Sequence, residues 1–94
     1  MPHTVRVRAS LARYLLAKPD DDLRRRIGVL RQTPFPPGSR SLNVDEEWHL
    51  LAEAFPSLHG FIYGPDENAI VYVYDATEQL LSIELAIVEG RIVG

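Results

Sequence analysis

Cysteine is absent from the sequence. Its absence excludes disulfide bonds, zinc–thiolate sites and a cysteine nucleophile. It also fits a reducing compartment, so we expect the protein to be cytoplasmic. No apolar run approaches the ~18 residues that a membrane-spanning helix needs. The opening residues, MPHTVRVR, lack the apolar segment that is typical of a signal peptide.

Histidine is scarce, with three residues in the chain. Neither a glycine-rich phosphate loop nor a serine–histidine–acid arrangement can be recognised from the spacing of residues. Acidic runs occur at residues 20–22 and 45–47, but neither has the ligand spacing of a calcium loop. Helix capping and solubility explain these runs better, so we expect neither a metal ion nor a cofactor.

The length of 94 residues and the ordinary globular composition predict one domain, residues 1–94. Within this domain, charge is distributed unevenly along the chain. Residues 1–40 carry nine basic and three acidic residues, a balance of +6. Residues 41–94 carry one basic and ten acidic residues, a balance of −9. Either the two halves neutralise each other within the domain, or the basic half binds an acidic partner.

The amino-terminal segment predicts a strand followed by a helix. Residues 4–8 alternate apolar and polar side chains, which indicates a half-buried strand. Ser10 is expected to cap a helix that ends near Lys18, because Pro19 disfavours helical geometry in the residue before it. The apolar positions of this helix recur at spacings of three and four and are Leu11, Tyr14 and Leu15.

A second helix is predicted between the acidic run at residues 20–22, which suits a helix amino end, and Pro34. Its apolar seam consists of Leu23, Ile27 and Leu30. We expect Asp20 to pair with Arg24 and Asp21 with Arg25, at about 0.3 kcal/mol each. The arginines of this helix are therefore either its solvated face or a surface for a partner.

The remaining chain predicts mainly strands. Residues 39–44 indicate a short strand, whereas residues 46–55 fit either a strand or a helix capped by Asp45. Residues 60–63 and 69–74 are rich in β-branched and aromatic side chains and flank a turn-rich loop, so they predict a β-hairpin.

Residues 80–88 alternate as a strand does, although the preceding Asp75-Ala76-Thr77-Glu78 has the form of a helix capping box. We favour a strand that pairs antiparallel to residues 69–74. The predicted fold class is α+β, with an amino-terminal strand, a helical hairpin and then an antiparallel sheet of three to four strands. Tyrosines 63, 72 and 74 are expected to have core or cross-strand roles.

Three stretches together resemble the RelE/ParE superfamily of toxins from bacterial type II toxin–antitoxin systems. VRVRASLARYLL is similar to the family's first strand and helix, and DDLRRRI followed by PFPPGSRSL is similar to its second helix, turn and next strand. IVYVYDATEQLLSIELAIVEGR is similar to the closing strand pair. The resemblance implies an antitoxin partner and one of two targets: mRNA on the ribosome, or DNA gyrase.

Within that resemblance, His49 and Arg91 are the candidate catalytic residues for a ribosome-dependent mRNA endonuclease. Cleavage of RNA needs an acid, a base and cations around the phosphate, and the acidic second half of the chain repels RNA. We therefore favour a ParE-like or catalytically degenerate toxin over a competent nuclease, and expect a His49→Ala variant to keep any activity. The candidate partner-binding residues are Arg24, Arg25, Arg31 and Arg40.

A second interpretation comes from LSIELAIVEG and LLAEAFPSLHGFI, which resemble the ubiquitin-like (β-grasp) sulfur carriers of cofactor biosynthesis. Those proteins act through a carboxy-terminal Gly-Gly, whereas this sequence reads Arg91-Ile92-Val93-Gly94. Another non-catalytic binding domain is a further alternative, and the chain is a candidate for forming a homodimer.

Overall fold

The computed structural model of the chain describes residues 3–18, 20–42, 58–63 and 68–94. In chain order these residues form β1 (Thr4–Val7), α1 (Ala9–Ala17), α2 (Asp21–Gln32), β2 (Ser39–Ser41), β3 (Leu58–Tyr63), β4 (Asn68–Asp75), β5 (Leu80–Val88) and β6 (Arg91–Val93). The predicted α+β class is thereby confirmed. Residues 46–55, for which both a helix and a strand were expected, lie outside the described residues.

Helix α1 follows β1 with almost no connection. Arg8 donates its backbone N–H to the carbonyl of Ile83 at 3.1 Å, and the helix begins at the next residue. Ser10 is therefore inside the first turn, and its predicted capping role is wrong: Arg8 is the N-cap, without a side-chain cap. The helix ends at Ala17 with Lys18 as its C-cap, which confirms the predicted end near Lys18, and Leu11 and Leu15 are buried.

Helix α2 has the features that its sequence predicts. Asp20 is the N-cap, and its side chain accepts a hydrogen bond from the backbone N–H of Leu23 at 3.0 Å. The apolar seam is buried, and the helix ends at Gln32, shortly before Pro34. A carboxylate at this position also interacts favourably with the positive end of the helix dipole.

The β3–β4 hairpin and the strand at residues 80–88 are confirmed. Strands β3 and β4 pair antiparallel, and β5 pairs antiparallel to β4. Between β4 and β5 the Asp75 carboxylate accepts hydrogen bonds from the backbone N–H groups of Thr77 and Glu78, at 2.9 and 3.1 Å. The residues with capping-box form thus make an Asx-type turn rather than a helix start.

The sheet is mixed rather than purely antiparallel. Strands β2 to β5 are antiparallel neighbours, as predicted, but β1 pairs parallel to the first half of β5. The short β6, which was not predicted, pairs antiparallel to the second half of β5 on the same edge. A bulge lies between the two halves, since Val71 faces Leu85 whereas Tyr72 faces Ile83. Strands β1 and β6 therefore share one edge of the described sheet, beside β5.

The main core lies between one face of the sheet and the two helices. Apolar side chains of the two helices pack there against alternate residues of the strands. The helices contribute Leu11, Leu15, Leu23, Ile27 and Leu30. The strands contribute Phe61, Tyr63, Ile70, Tyr72, Leu81, Ile83 and Ala86. A second cluster of Leu42, Leu58 and Val71 lies on the opposite face. The predicted core roles of Tyr63 and Tyr72 are confirmed, and Tyr74 packs against the main cluster. Neither described helix is long and apolar enough to cross a membrane.

Candidate functional site

A groove opens between β1, the end of α1 and the middle of α2. Its volume is about 290 Å³, and its lining residues are Val7, Leu15, Arg24, Ile27, Gly28 and Arg31. Val7, Leu15 and Ile27 form an apolar floor, while the side chains of Arg24 and Arg31 are exposed. No carboxylate is among these lining residues, so the groove joins an apolar surface to two positive charges.

Helical spacing brings the two arginines to this groove. Arg24 and Arg31 are seven residues apart, which corresponds to two turns and to the same side of a helix. Ile27 and Gly28 occupy the intervening turn on that side. The groove is therefore one face of α2, bordered by Leu15 at the end of α1 and by Val7 on β1.

Arg24 is held in place by the neighbouring helix. Its Nη2 donates a hydrogen bond to the carbonyl oxygen of Leu15 at 3.0 Å. Leu15 is in the last turn of α1, where carbonyl groups have no partner within the helix. A guanidinium has five N–H donors, so this hydrogen bond fixes Arg24 while leaving it donors for a ligand.

Arg31 has no ion-pair or side-chain hydrogen-bond partner within the part of the chain that the structure describes. It lies in the last turn of α2, where a positive charge is favourable next to the negative end of the helix dipole. The guanidinium is thus stabilised by its position in the helix and remains accessible to an anion.

The other two arginines of α2 are engaged by Asp22. Arg25 lies 4.0 Å and Arg26 3.6 Å from Oδ1 of Asp22, and the guanidinium of Arg26 lies over the ring of Tyr63 at 5.0 Å. The predicted pairs of Asp20 with Arg24 and Asp21 with Arg25 are not found among the described residues. Asp20 caps the helix instead, and Arg24 turns toward α1.

Arg40 lies apart from these residues. It is in register with Gly60 on β3, and a side chain at Gly60 would meet Leu42, a member of the cluster on the face opposite the helices. Directly paired residues of an antiparallel ladder project to the same face. Of the four candidate partner-binding arginines, the fold therefore brings Arg24 and Arg31 to the same groove. Arg25 is on the same helix but outside the groove, and Arg40 is on the sheet, away from the other three.

Only one of the two candidate catalytic residues is among the described residues. Arg91 is exposed at the start of β6, in register with Val88. His49 lies outside the described residues. Within the described ranges, no group of three or more histidine, aspartate or glutamate side chains is arranged to hold a metal ion.

A cluster of aromatic and histidine side chains lies where α2 ends over the sheet, and sequence reasoning did not single it out. The ring of His59 stacks on Tyr72, and Phe35 contacts His59 and Tyr74 edge to face, with centroids 5.0 and 5.3 Å apart. His3 contacts Tyr74 and donates from Nε2 to the carbonyl of Leu30. The feature that could have predicted this cluster is the register of the β3–β4 hairpin, which pairs His59 with Tyr72.

Burial keeps the central groups of this cluster uncharged at neutral pH. It lowers the pKa of His59 below 6.5, against the opposing effect of a hydrogen bond with the backbone of Arg40. It raises the pKa of Tyr72 to about 12. Tyr72 donates its hydroxyl hydrogen to the carbonyl of Pro34 at 2.6 Å. These contacts tie the residues after α2 to the sheet and explain the cluster as a packing feature.

Comparison with protein-family models, with curated proteins and with solved structures gives no match to this chain.

Proposed function

We propose that this chain is the toxin component of a type II toxin–antitoxin pair, and that an acidic segment of the antitoxin binds across the groove face of α2. The observation that carries the proposal is the presence of Arg24 and Arg31 on the same groove, over an apolar floor, with no carboxylate among the described lining residues. Arginine is suited to carboxylate contacts because its donors form a planar fork. A strand, a helical hairpin and a further sheet occur in the order that the resemblance implies.

Binding without RNA cleavage is the mode that we favour. The two described histidines have structural partners: His3 bonds to the end of α2, and His59 packs between the rings of Phe35 and Tyr72. The neutral imidazole of His59 contributes no positive charge toward phosphate. The acidic excess of residues 41–94 lowers the attraction for RNA further.

The first test is induction of the chain alone in a bacterial host, with growth and the integrity of ribosome-bound mRNA followed in the same cultures. We expect growth arrest with intact mRNA. Arrest with cleaved mRNA would contradict the non-nuclease mode. Normal growth, with the protein verified as folded and abundant by circular dichroism and immunoblotting, would refute the toxin assignment.

The second test addresses the binding face. The antitoxin is sought by selecting genomic fragments that restore growth, and its affinity is measured for the native chain and for Arg24→Glu/Arg31→Glu. We expect at least a hundredfold weaker binding and a smaller dependence on salt, since two charge contacts become repulsive. Arg13→Glu/Arg40→Glu is the matched control, because it makes the same change in net charge at exposed residues away from the groove. An equal loss in both variants would mean that only net charge matters.

A further inference from the structure

Gly28 occupies the centre of the groove, in the interior of α2. Glycine in a helix interior is less favourable than alanine, so its presence at this position needs an explanation. The two usual reasons for a glycine, a left-handed backbone conformation and close packing against a neighbour, do not apply among the described residues. The backbone of Gly28 is right-handed helix rather than the left-handed region, and a Cβ at this position would meet no atom of the described residues within 4 Å. Neither the backbone of Gly28 nor its packing against the described residues therefore requires glycine.

The missing side chain leaves room in the groove. Gly28 lies between Arg24 and Arg31 along the helix, and its neighbours in the groove are the apolar side chains of Val7, Leu15 and Ile27. A side chain longer than that of alanine at this position would project into the open volume of about 290 Å³. The groove thus has an apolar recess at its centre and a positive charge on each side.

We propose that Gly28 is a specificity-determining residue: it creates the recess that receives one bulky apolar side chain of an acidic partner segment, whose carboxylates contact Arg24 and Arg31 on either side. The inference rests on the proposed function only in that an acidic protein segment binds this face. Charge complementarity selects this occupant, because the described lining of the groove has two guanidinium groups and no carboxylate.

The dimensions fit a short segment. Arg24 and Arg31 are separated by seven residues, or roughly 10 Å along the helix axis at about 1.5 Å per residue. In an extended segment, residues i, i+2 and i+4 project to one side and span roughly 13 Å. A segment with acidic residues at i and i+4 and a large apolar residue at i+2 therefore matches the arginine–recess–arginine order, given the reach of the arginine side chains.

The occupant is identified with a library of random 12-residue peptides displayed on phage and selected against the full chain. Enriched peptides are synthesised, and their affinities are measured by fluorescence anisotropy for the native chain, Gly28→Ala and Gly28→Leu. Alanine and leucine both favour helices, so we expect both variants to raise the melting temperature by about 4 °C. Loss of binding in Gly28→Leu then cannot be attributed to unfolding.

The expected result is enrichment of peptides with acidic residues flanking a large apolar residue. Such a peptide is expected to bind Gly28→Ala within threefold of the native chain, and Gly28→Leu at least tenfold more weakly. Replacement of its apolar residue by alanine should remove the difference between the native chain and Gly28→Leu. Failure to enrich any peptide, enrichment without acidic residues, or equal affinity for Gly28→Leu would each overturn the inference.

These outcomes are distinguishable from failure of the proposed function. If Arg24→Glu/Arg31→Glu abolishes peptide binding while Gly28→Leu has no effect, the arginine face stands as a binding surface and the recess is refuted. If the chain does not arrest growth, the toxin assignment fails independently of the peptide results. Analytical ultracentrifugation of the chain alone tests whether a second copy of the chain fills the groove instead. A dimer that dissociates in Gly28→Leu or in Arg24→Glu/Arg31→Glu would show that it does, and would overturn the inference.

Discussion

The imidazole of His59 lies on the phenol ring of Tyr72, with ring centroids 5.6 Å apart and an angle of 27° between the planes. The two residues are direct partners in the register of β3 and β4. Their stacking joins a titratable group to the core, because Tyr72 is fully buried. The stability of the fold should therefore depend on the protonation of His59.

We expect the free energy of unfolding to decrease as the pH falls below about 6.5. Burial lowers the pKa of His59 in the folded protein, so the unfolded chain binds the proton more readily. The contribution of His59 is complete above pH 6.5 and is lost as the pH falls from there to the lower pKa of the folded state. One proton gives a slope of at most about 1.4 kcal/mol per pH unit.

Urea unfolding between pH 5 and 8 measures this dependence. The control is His59→Gln, which retains a polar side chain of similar size but does not titrate. The variant should show a shallower loss of stability with decreasing pH than the native chain. Parallel curves for the two proteins would show that His59 does not contribute.

Tyr72→Phe should destabilise the fold by about 1–2 kcal/mol, because the carbonyl of Pro34 would lose its buried hydrogen-bond donor. Tyr74→Phe is the matched control. Tyr74 is on the same face of β4, but its hydroxyl has no hydrogen-bond partner among the described residues. We expect this variant to change the free energy of unfolding by less than about 0.5 kcal/mol. Urea unfolding at pH 7.5 measures the free energy of unfolding of both variants. Equal losses in Tyr72→Phe and Tyr74→Phe would contradict the assigned role of the Tyr72 hydroxyl.

Asp20→Ala should cost about 1 kcal/mol, because the backbone N–H of Leu23 would lose the side-chain cap. Asp21→Ala removes the same charge one residue later, where the carboxylate makes no capping hydrogen bond to any described residue. We expect Asp21→Ala to cost only a few tenths of a kcal/mol, from its interaction with the helix dipole. Thermal unfolding of the two variants separates capping from general charge effects, and similar melting temperatures would argue against the cap.

Gly38→Ala should be strongly destabilising, in contrast to the stabilisation expected for Gly28→Ala. Gly38 has a φ of +97°, and a Cβ there would lie 2.7 Å from the carbonyl oxygen of Ile62. The backbone conformation alone costs about 1–2 kcal/mol for a residue with a side chain, and the steric clash adds to it.

Gly90→Ala is the control for Gly38→Ala, since Gly90 has a φ of +78° but a Cβ there would meet none of the described atoms within 4 Å. Chemical denaturation should show the larger loss for Gly38→Ala. A larger loss for Gly90→Ala would mean that the contact with Ile62 is relieved at little cost.

Local features of the fold were predictable because they depend on residues close together in the chain. The apolar spacing in α2, the aspartate at its start and the proline after its end define the helix without reference to the sheet. The alternation in residues 80–88 favoured a strand over the competing capping-box pattern, and pairing with β4 confirms it. The cap of α1 was missed because Arg8 is held by a hydrogen bond to Ile83, a distant residue.

The candidate site was only partly predictable. Arg24 and Arg31 follow from helical spacing, since residues seven apart share one side of a helix. Val7 and Leu15 were expected to be apolar positions of separate elements, and nothing in the local pattern places them beside the arginines. The different environment of Arg40 follows from its pairing with Gly60, and the His59 cluster depends on the register of two strands.

The sequence by itself determined the α+β class, the bounds of α2, the β3–β4 hairpin and the exclusion of cysteine chemistry, because composition and periodicity are properties of the chain alone. Tertiary structure decided that β1 pairs parallel to β5 and that the groove forms around Gly28. The physical reason is that contacts between residues far apart in the chain depend on how the apolar faces pack together, and neighbouring residues do not specify that packing.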